Sequence, residues 1–216
     1  IKMRNIIAFT LLISLSSLSV SEPISVNSCN RKLHLKESPS RAISHDINLT
    51  EMMFALGLQN KMVGYTGISG WQKITLEFKE SAKGLPQLSE KTPTMETLLA
   101  ADADFFFAGW NYGMRAGGPL TPHTLRPFGI SVYELTESCI HIMKKKPSSF
   151  DDVYQDILNL GEIFDVVPRS KNLVAQFKAD VANIENKTKS IHTPVSVFLY
   201  DSGKTSPFTA GAFAIP

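Results

Sequence analysis

The chain has 216 residues, of which 43% are apolar and 19% charged, and its formal net charge is +2. That length fits one or two domains, and the near-balanced charge excludes a nucleic-acid-binding surface of the usual basic kind and an acidic tail. The densest basic run, Lys144-Lys145-Lys146, reads as a solvated turn. The histidines show no metal-ligand spacing, so no metal and no cofactor is expected.

In chain order, Met3-Arg4-Asn5 is followed by the apolar run Ile6–Ile13 and the small-residue stretch Ser14–Ser21. This pattern predicts a secretory signal over residues 1–21, cleaved near Ser21. The apolar run is too short for a membrane span. An exported chain with two cysteines, Cys29 and Cys139, favours a disulfide between them. Two free thiols are the alternative.

Arg41–His45 reads as a strand. Asn48-Leu-Thr-Glu51 reads as a capping box that opens a helix running to Leu56 and stopping at Gly57. Lys61–Tyr65 is a second strand, and residues 66–93 form a Gly/Pro-rich loop carrying Trp71. Thr94 is an N-cap with Glu96 in the first helical turn, and Leu98 and Leu99 supply the inward face. Phe105–Ala108 is a continuous apolar run, as in a strand covered on both faces. Ligands in open α/β sheets bind beyond the carboxyl ends of such strands. The loop Gly109–Gly118, with Trp110, Tyr112 and Arg115, lies at that end. His123–Arg126 is a brief helix and Ile130–Leu135 another strand. Helical periodicity then runs from Asp151 to about Lys187, kinked or split at Pro168. Val195–Tyr200 opens a further strand, followed by Asp201–Gly211. Strands alternating with helices at this spacing predict a parallel α/β sheet.

Four segments, in order, resemble the substrate-binding proteins of ABC importers for iron–siderophore complexes and cobalamin. They are Ser44–Gly57, Met62–Tyr65, Pro93–Phe106, and Val197–Tyr200 with Pro207–Gly211. The resemblance implies an α/β fold of two Rossmann-like lobes bridged by one long helix. It places an N-terminal lobe at 22–148, the bridging helix at 149–190 and the start of a C-terminal lobe at 191–216. That second lobe is expected to be incomplete here, because the family pattern continues past Pro216. The resemblance implies a monomeric periplasmic protein that captures a ferric siderophore or cobalamin-like chelate between its lobes and delivers it to an inner-membrane permease. It also makes Glu96 a permease-docking carboxylate; taken alone, the residue reads as one that merely stabilises its helix.

The expected ligand-binding set is Trp71, Trp110, Tyr112 and Arg115 from the first lobe, facing Tyr200 and Phe208 from the second. Aromatic walls with few polar groups suit a bulky chelate, and the guanidinium fork suits an anionic oxygen. For Trp71, Tyr200 and Phe208, packing within a lobe is the competing reading. His45 and Asp46 sit at a strand end and read either as helix-capping residues or as ligand contacts. No Gly-x-Ser-x-Gly elbow, phosphate loop or Cys/His pair argues for an enzyme. A chelatase-like enzyme and a non-transporting periplasmic sensor remain the alternatives.

Overall fold

The computed structural model describes residues 23–70, 74–191, 193, 196, 198 and 200–209. The expected signal peptide and Trp71 lie outside the described residues.

The first element is a hairpin, β1 (Ile24–Ser28) paired antiparallel with β2 (Arg31–Leu35). It was not anticipated, although Val26, Leu33 and Leu35 alternate inward with polar neighbours, the period-2 signature of a half-buried strand. After it come β3 (Ala42–His45), α1 (Ile47–Ala55) and β4 (Met62–Thr66). The segment expected to be loop contains α2 (Leu76–Ser81) and β5 (Gln87–Ser89). Then follow α3 (Met95–Ala100), β6 (Phe105–Trp110), β7 (Gly113–Met114), α4 (Pro122–Leu125) and β8 (Ser131–Glu134).

The sheet is parallel, in the order β5-β4-β3-β6-β8, with β7 alongside the end of β6. β6 is central and buried throughout. Its side chains alternate between two cores: Phe105 and Phe107 pack with α1 and the later helices. Phe106 and Ala108 pack with Leu98 of α3 and Leu125 of α4. Leu99, expected to face inward beside Leu98, is 41% exposed, since a six-residue helix turns only one such position onto the sheet.

The expected single helix over 149–190 is two helices, α5 (Phe150–Ile163) and α6 (Val167–Thr188). Asp165 takes a left-handed φ of 56° at the break, and Pro168 sits in the first turn of α6, where its missing N–H costs nothing. α5 belongs to the lobe: Tyr154, Ile157, Leu160 and Ile163 are all buried against it. Only Ser170 and Val174 of α6 are buried. The 22-residue α6 is the longest helix among the described residues and is largely exposed.

The α5–α6 elbow is set by Gly161, where a Cβ would stand 2.0 Å from the buried Ser170 Oγ. Gly161→Ala should cost about 1–3 kcal/mol by overpacking, against the helix-propensity gain. A lower denaturant midpoint would register it. Arg169 fixes the start of α6 by donating from Nε to Ala55 O at 3.0 Å, at the carboxyl end of α1.

Beyond α6 the chain forms β9 (Tyr200–Ser202) and β10 (Phe208–Thr209), paired antiparallel. No helix among the described residues is long and apolar enough to cross a membrane.

Candidate functional site

The carboxyl ends of β3, β4, β6 and β8 bring four loops together, and His45 lies beneath them. Its Nδ1 is 2.9 Å from Thr66 Oγ1 and the ring is buried. The imidazole is packed between two glycines, Gly67 and Gly113, whose φ values are +80° and +90°. A Cβ on Gly67 would lie 2.3 Å from its Cε1, and one on Gly113 would lie 2.7 Å from its Cγ. Both glycines are needed for backbone conformation and for space. His45 is thus a strut between the β4 and β6 loops rather than an open ligand.

Burial disfavours the charged imidazole and holds its pKa down at about 4, with Asp46 opposing. The unfolded chain therefore binds a proton at this site between about pH 4 and 6.5 while the folded chain does not. Stability from His45 is present above that window and lost as pH falls through it, by about 3 kcal/mol in all. Asp156 opposes this trend, because burial raises its pKa to about 7. The clean readout is therefore the stability difference between wild type and His45→Asn, which should shrink as pH falls from 7 to 4.5 in parallel urea titrations.

Asp46 caps α1, as its side chain accepts from Ile47 N–H at 2.6 Å. Its own amide donates to Thr66 O at 2.8 Å. The helix thus starts ahead of the expected Asn48 cap, and the Asn48 Oδ1 turns inward with no hydrogen-bond partner among the described residues.

Trp110 is not an open ring of the binding loop. It is the last residue of β6 and 7% exposed, and its indole N–H donates to Glu134 Oε1 at 2.9 Å. Glu134, also buried, accepts from Ser28 Oγ at 2.7 Å and pairs with Arg31 Nε at 2.6 Å. That cluster ties the β1–β2 hairpin to the sheet. Beside it, Cys29 and Cys139 form a disulfide with a Cα–Cα distance of 5.4 Å.

Tyr112 is half-buried at the lip of the loop, and its hydroxyl donates to Glu137 Oε1 at 3.0 Å. Burial, then the Glu137 charge, pushes the phenol up to about 12. Glu137 is raised in turn, first by desolvation. Asn111, at φ 67°, forms the exposed loop tip, with Nδ2 3.3 Å from His141 Nδ1. Arg115 is exposed in the same loop. Sequence reasoning missed Asn111, Glu137 and His141, because the fold brings the last two to the loop from 25 and 30 residues away. Behind them, buried Asp156 accepts from Tyr133 Oη at 2.7 Å and from Thr136 Oγ1 at 2.5 Å, fastening α5 to the loop after β8.

Tyr200 is 58% exposed and donates to Gly203 O at 2.9 Å. The Phe208 side chain lies outside the description. Glu96 stands exposed at the start of α3, beyond the carboxyl end of β5 and so on the same sheet edge as the loops. A hydrogen bond with Thr94 holds its carboxyl below the usual range. Among the described residues no group of three or more His, Cys, Asp or Glu is placed to hold a metal ion.

A parallel α/β sheet with loops at its carboxyl edge, followed by a long helix, is the fold shared with periplasmic binding proteins. The comparisons agree. A periplasmic binding protein from Veillonella parvula is 26% identical, with a TM-score of 0.72 over 88% of this chain and 62% of that one. The ABC-type Fe3+-hydroxamate transport system from Saccharomonospora viridis is 24% identical, with a TM-score of 0.64 over 77% of this chain and 57% of that one. In sequence the chain is 24% identical over 192 residues to the uncharacterized ABC transporter substrate-binding lipoprotein YvrC of Bacillus subtilis, covering 88% of this chain and 55% of that protein. No family model matches. By fold and sequence the chain is similar to the class III substrate-binding proteins of ABC transporters, as its four segments implied. It spans a little over half the length of these relatives.

Proposed function

We propose that the chain supplies the first lobe and bridging helix of a substrate-binding protein that captures an iron chelate and passes it to an ABC permease. The observation that carries this reading is the loop Asn111–Arg115 at the carboxyl edge of the parallel sheet, with Asn111 and Arg115 exposed and Tyr112 half-buried, braced from below by His45 and Glu137. A rigid polar–aromatic lip of this kind suits a bulky ligand that is partly apolar and partly anionic. The printed names of relatives support the ligand class: one is a Fe3+-hydroxamate transport component. Another is described as bound to acinetobactin and ferric iron. In this reading Tyr112 offers its ring, Arg115 meets an anionic chelate oxygen, and Asn111 and His141 donate at the rim. Trp110 has no part in it. Trp71, Tyr200 and Phe208 stay as candidates. Exposed Glu96 is the permease-docking carboxylate, and export to the periplasm follows from the signal sequence. We place the lobe boundary after α5, with α6 as the bridge.

The test is calorimetric titration of the chain with ferric hydroxamates, comparing wild type with Tyr112→Ala/Arg115→Ala. Loss of a packed ring and a charge-assisted hydrogen bond should weaken binding by about 2–4 kcal/mol, at least about thirtyfold. Unchanged affinity in the double variant would move the site elsewhere.

A further inference from the structure

The lip of the proposed cargo site is tied, residue by residue, to one short segment, the 3-10 helix Thr136–His141 that follows β8. Trp110 N–H donates to Ser138 Oγ at 2.9 Å, and Tyr112 Oη donates to Glu137 Oε1 at 3.0 Å. Between them, Asn111 Nδ2 lies 3.3 Å from His141 Nδ1. Three consecutive residues of the loop therefore take their places from this segment, and whatever holds the segment sets the lip.

Its start is held by Asp156 of α5. The Asp156 Oδ1 accepts from Thr136 Oγ1 at 2.5 Å and from Tyr133 Oη at 2.7 Å, and its Oδ2 accepts from Thr136 N–H at 3.2 Å. The surrounding frame is fixed in turn: Asn159 donates to Tyr133 Oη at 2.8 Å and to Asn27 O of β1 at 3.2 Å. An ionised carboxylate suits this place, since each of its partners donates. A proton would have to sit on Oδ2, because Oδ1 already faces two hydroxyls, and there it would confront the Thr136 N–H. The anchor is thus strong with the charge and weak without it.

Asp156 is buried and makes no ion pair among the described residues. Asp152 of α5 and Glu137 share with it a cavity of about 10 Å3, with room for no more than about one water. The neighbouring cation, Lys145, is committed to Asp152 at 2.5 Å. The α1 residue at this cavity, Met52, is apolar, and β8 presents the Tyr133 phenol to Asp156. Burial lifts Asp156 to about 7, opposed by the hydrogen bonds from Thr136 and Tyr133 and aided by the Asp152 charge.

We infer that Asp156 is a positioning residue of the cargo site: ionised, it holds Thr136 and so fixes Glu137, Ser138 and His141 against the lip, and its protonation loosens the lip and weakens chelate binding. The inference rests on the reading of Tyr112 and Arg115 as cargo contacts. It adds a dependence of that site on pH whose source lies outside the cleft.

The first test needs no ligand. In the isotope-labelled chain, the amide signals of Thr136, Asn111 and Tyr112 are followed by NMR from pH 8.5 to 5.5. They should share an inflection near pH 7 that disappears in Asp156→Asn. An inflection that persists in Asp156→Asn would assign the titration to Glu137 or His141 and overturn the inference, as would the absence of any shared inflection. The second test is calorimetric titration with a ferric hydroxamate at pH 8 and pH 6. Wild-type affinity should fall at least about threefold between them, whereas Asp156→Asn should bind at least about threefold more weakly at pH 8 and show a flat profile. A parallel pH dependence in both proteins would trace it to the chelate itself and overturn the inference. Should Asp156→Asn fail to fold, Thr136→Val and Thr136→Ser carry the binding test at a half-buried position. Thr136→Val, which lacks the hydroxyl, should bind at least about threefold more weakly at pH 8, and Thr136→Ser should match wild type. Equal binding by the two would overturn the inference. A wild type that binds no chelate would instead overturn the cargo reading and the affinity effect with it, while the ligand-free titration still decides whether Asp156 sets the lip.

Discussion

Replacing both Cys29 and Cys139 with alanine should lower the melting temperature by about 10 °C, measured by scanning calorimetry in the absence of reductant. The bridge closes a loop across a sequence separation of 110 residues, and cross-linking a loop of that length constrains the unfolded chain by up to about 4–5 kcal/mol. For a chain of this size each kcal/mol moves the midpoint by about 2–4 °C. The bridge joins the turn of the β1–β2 hairpin to the segment after β8, so local damage should be confined to that corner. Hydrogen exchange at β1 and β2 should accelerate, while the amides of β3 and β6 keep their protection relative to global unfolding. A shift of less than about 3 °C would mean that the hairpin holds the unfolded chain together by other contacts.

Glu134→Leu should be comparably damaging, at about 3 kcal/mol. The carboxylate is 1% exposed and serves three donors at once, on Ser28, Arg31 and Trp110. Removing it leaves the indole N–H without an acceptor and the guanidinium without its counter-charge, and breaking a buried pair from one side costs about 3–5 kcal/mol. The lower end applies because the Arg31 side chain is 28% exposed and partly screened. A double-mutant cycle separates the effects: Glu134→Leu/Arg31→Met should recover part of the loss, since the second change removes the stranded charge. Urea midpoints of the four proteins measure it. Losses that simply add would show that the pair is not coupled.

Where the signal was local, the fold was legible. β3, β4, β6 and β8 announce themselves as short apolar runs, and Thr94 caps α3 as read, accepting from the Thr97 amide. What failed depended on distant partners. Trp110 looked exposed because glycine precedes it and Gly113 follows. Its acceptor, Glu134, lies 24 residues away on the neighbouring strand and draws the ring inward. Asn48 and Glu51 carried a plausible capping pattern, but Asp46 is held by a hydrogen bond to β4 and starts the helix first. The glycines that accommodate His45 were visible as turn residues. Nothing in their spacing says that one imidazole must fit against both. The split between α5 and α6 was readable at Pro168, but which half stays with the lobe is decided by burial of Tyr154, Ile157 and Leu160.

The most direct measurement is calorimetric titration of the wild-type chain with a ferric hydroxamate, a ferric catecholate, haem and cobalamin, with the recovered ligand checked by mass spectrometry. The account predicts saturation at one equivalent by an iron chelate, with the ligand recovered chemically unchanged. Turnover of the ligand, or no heat with any of the four, would contradict it.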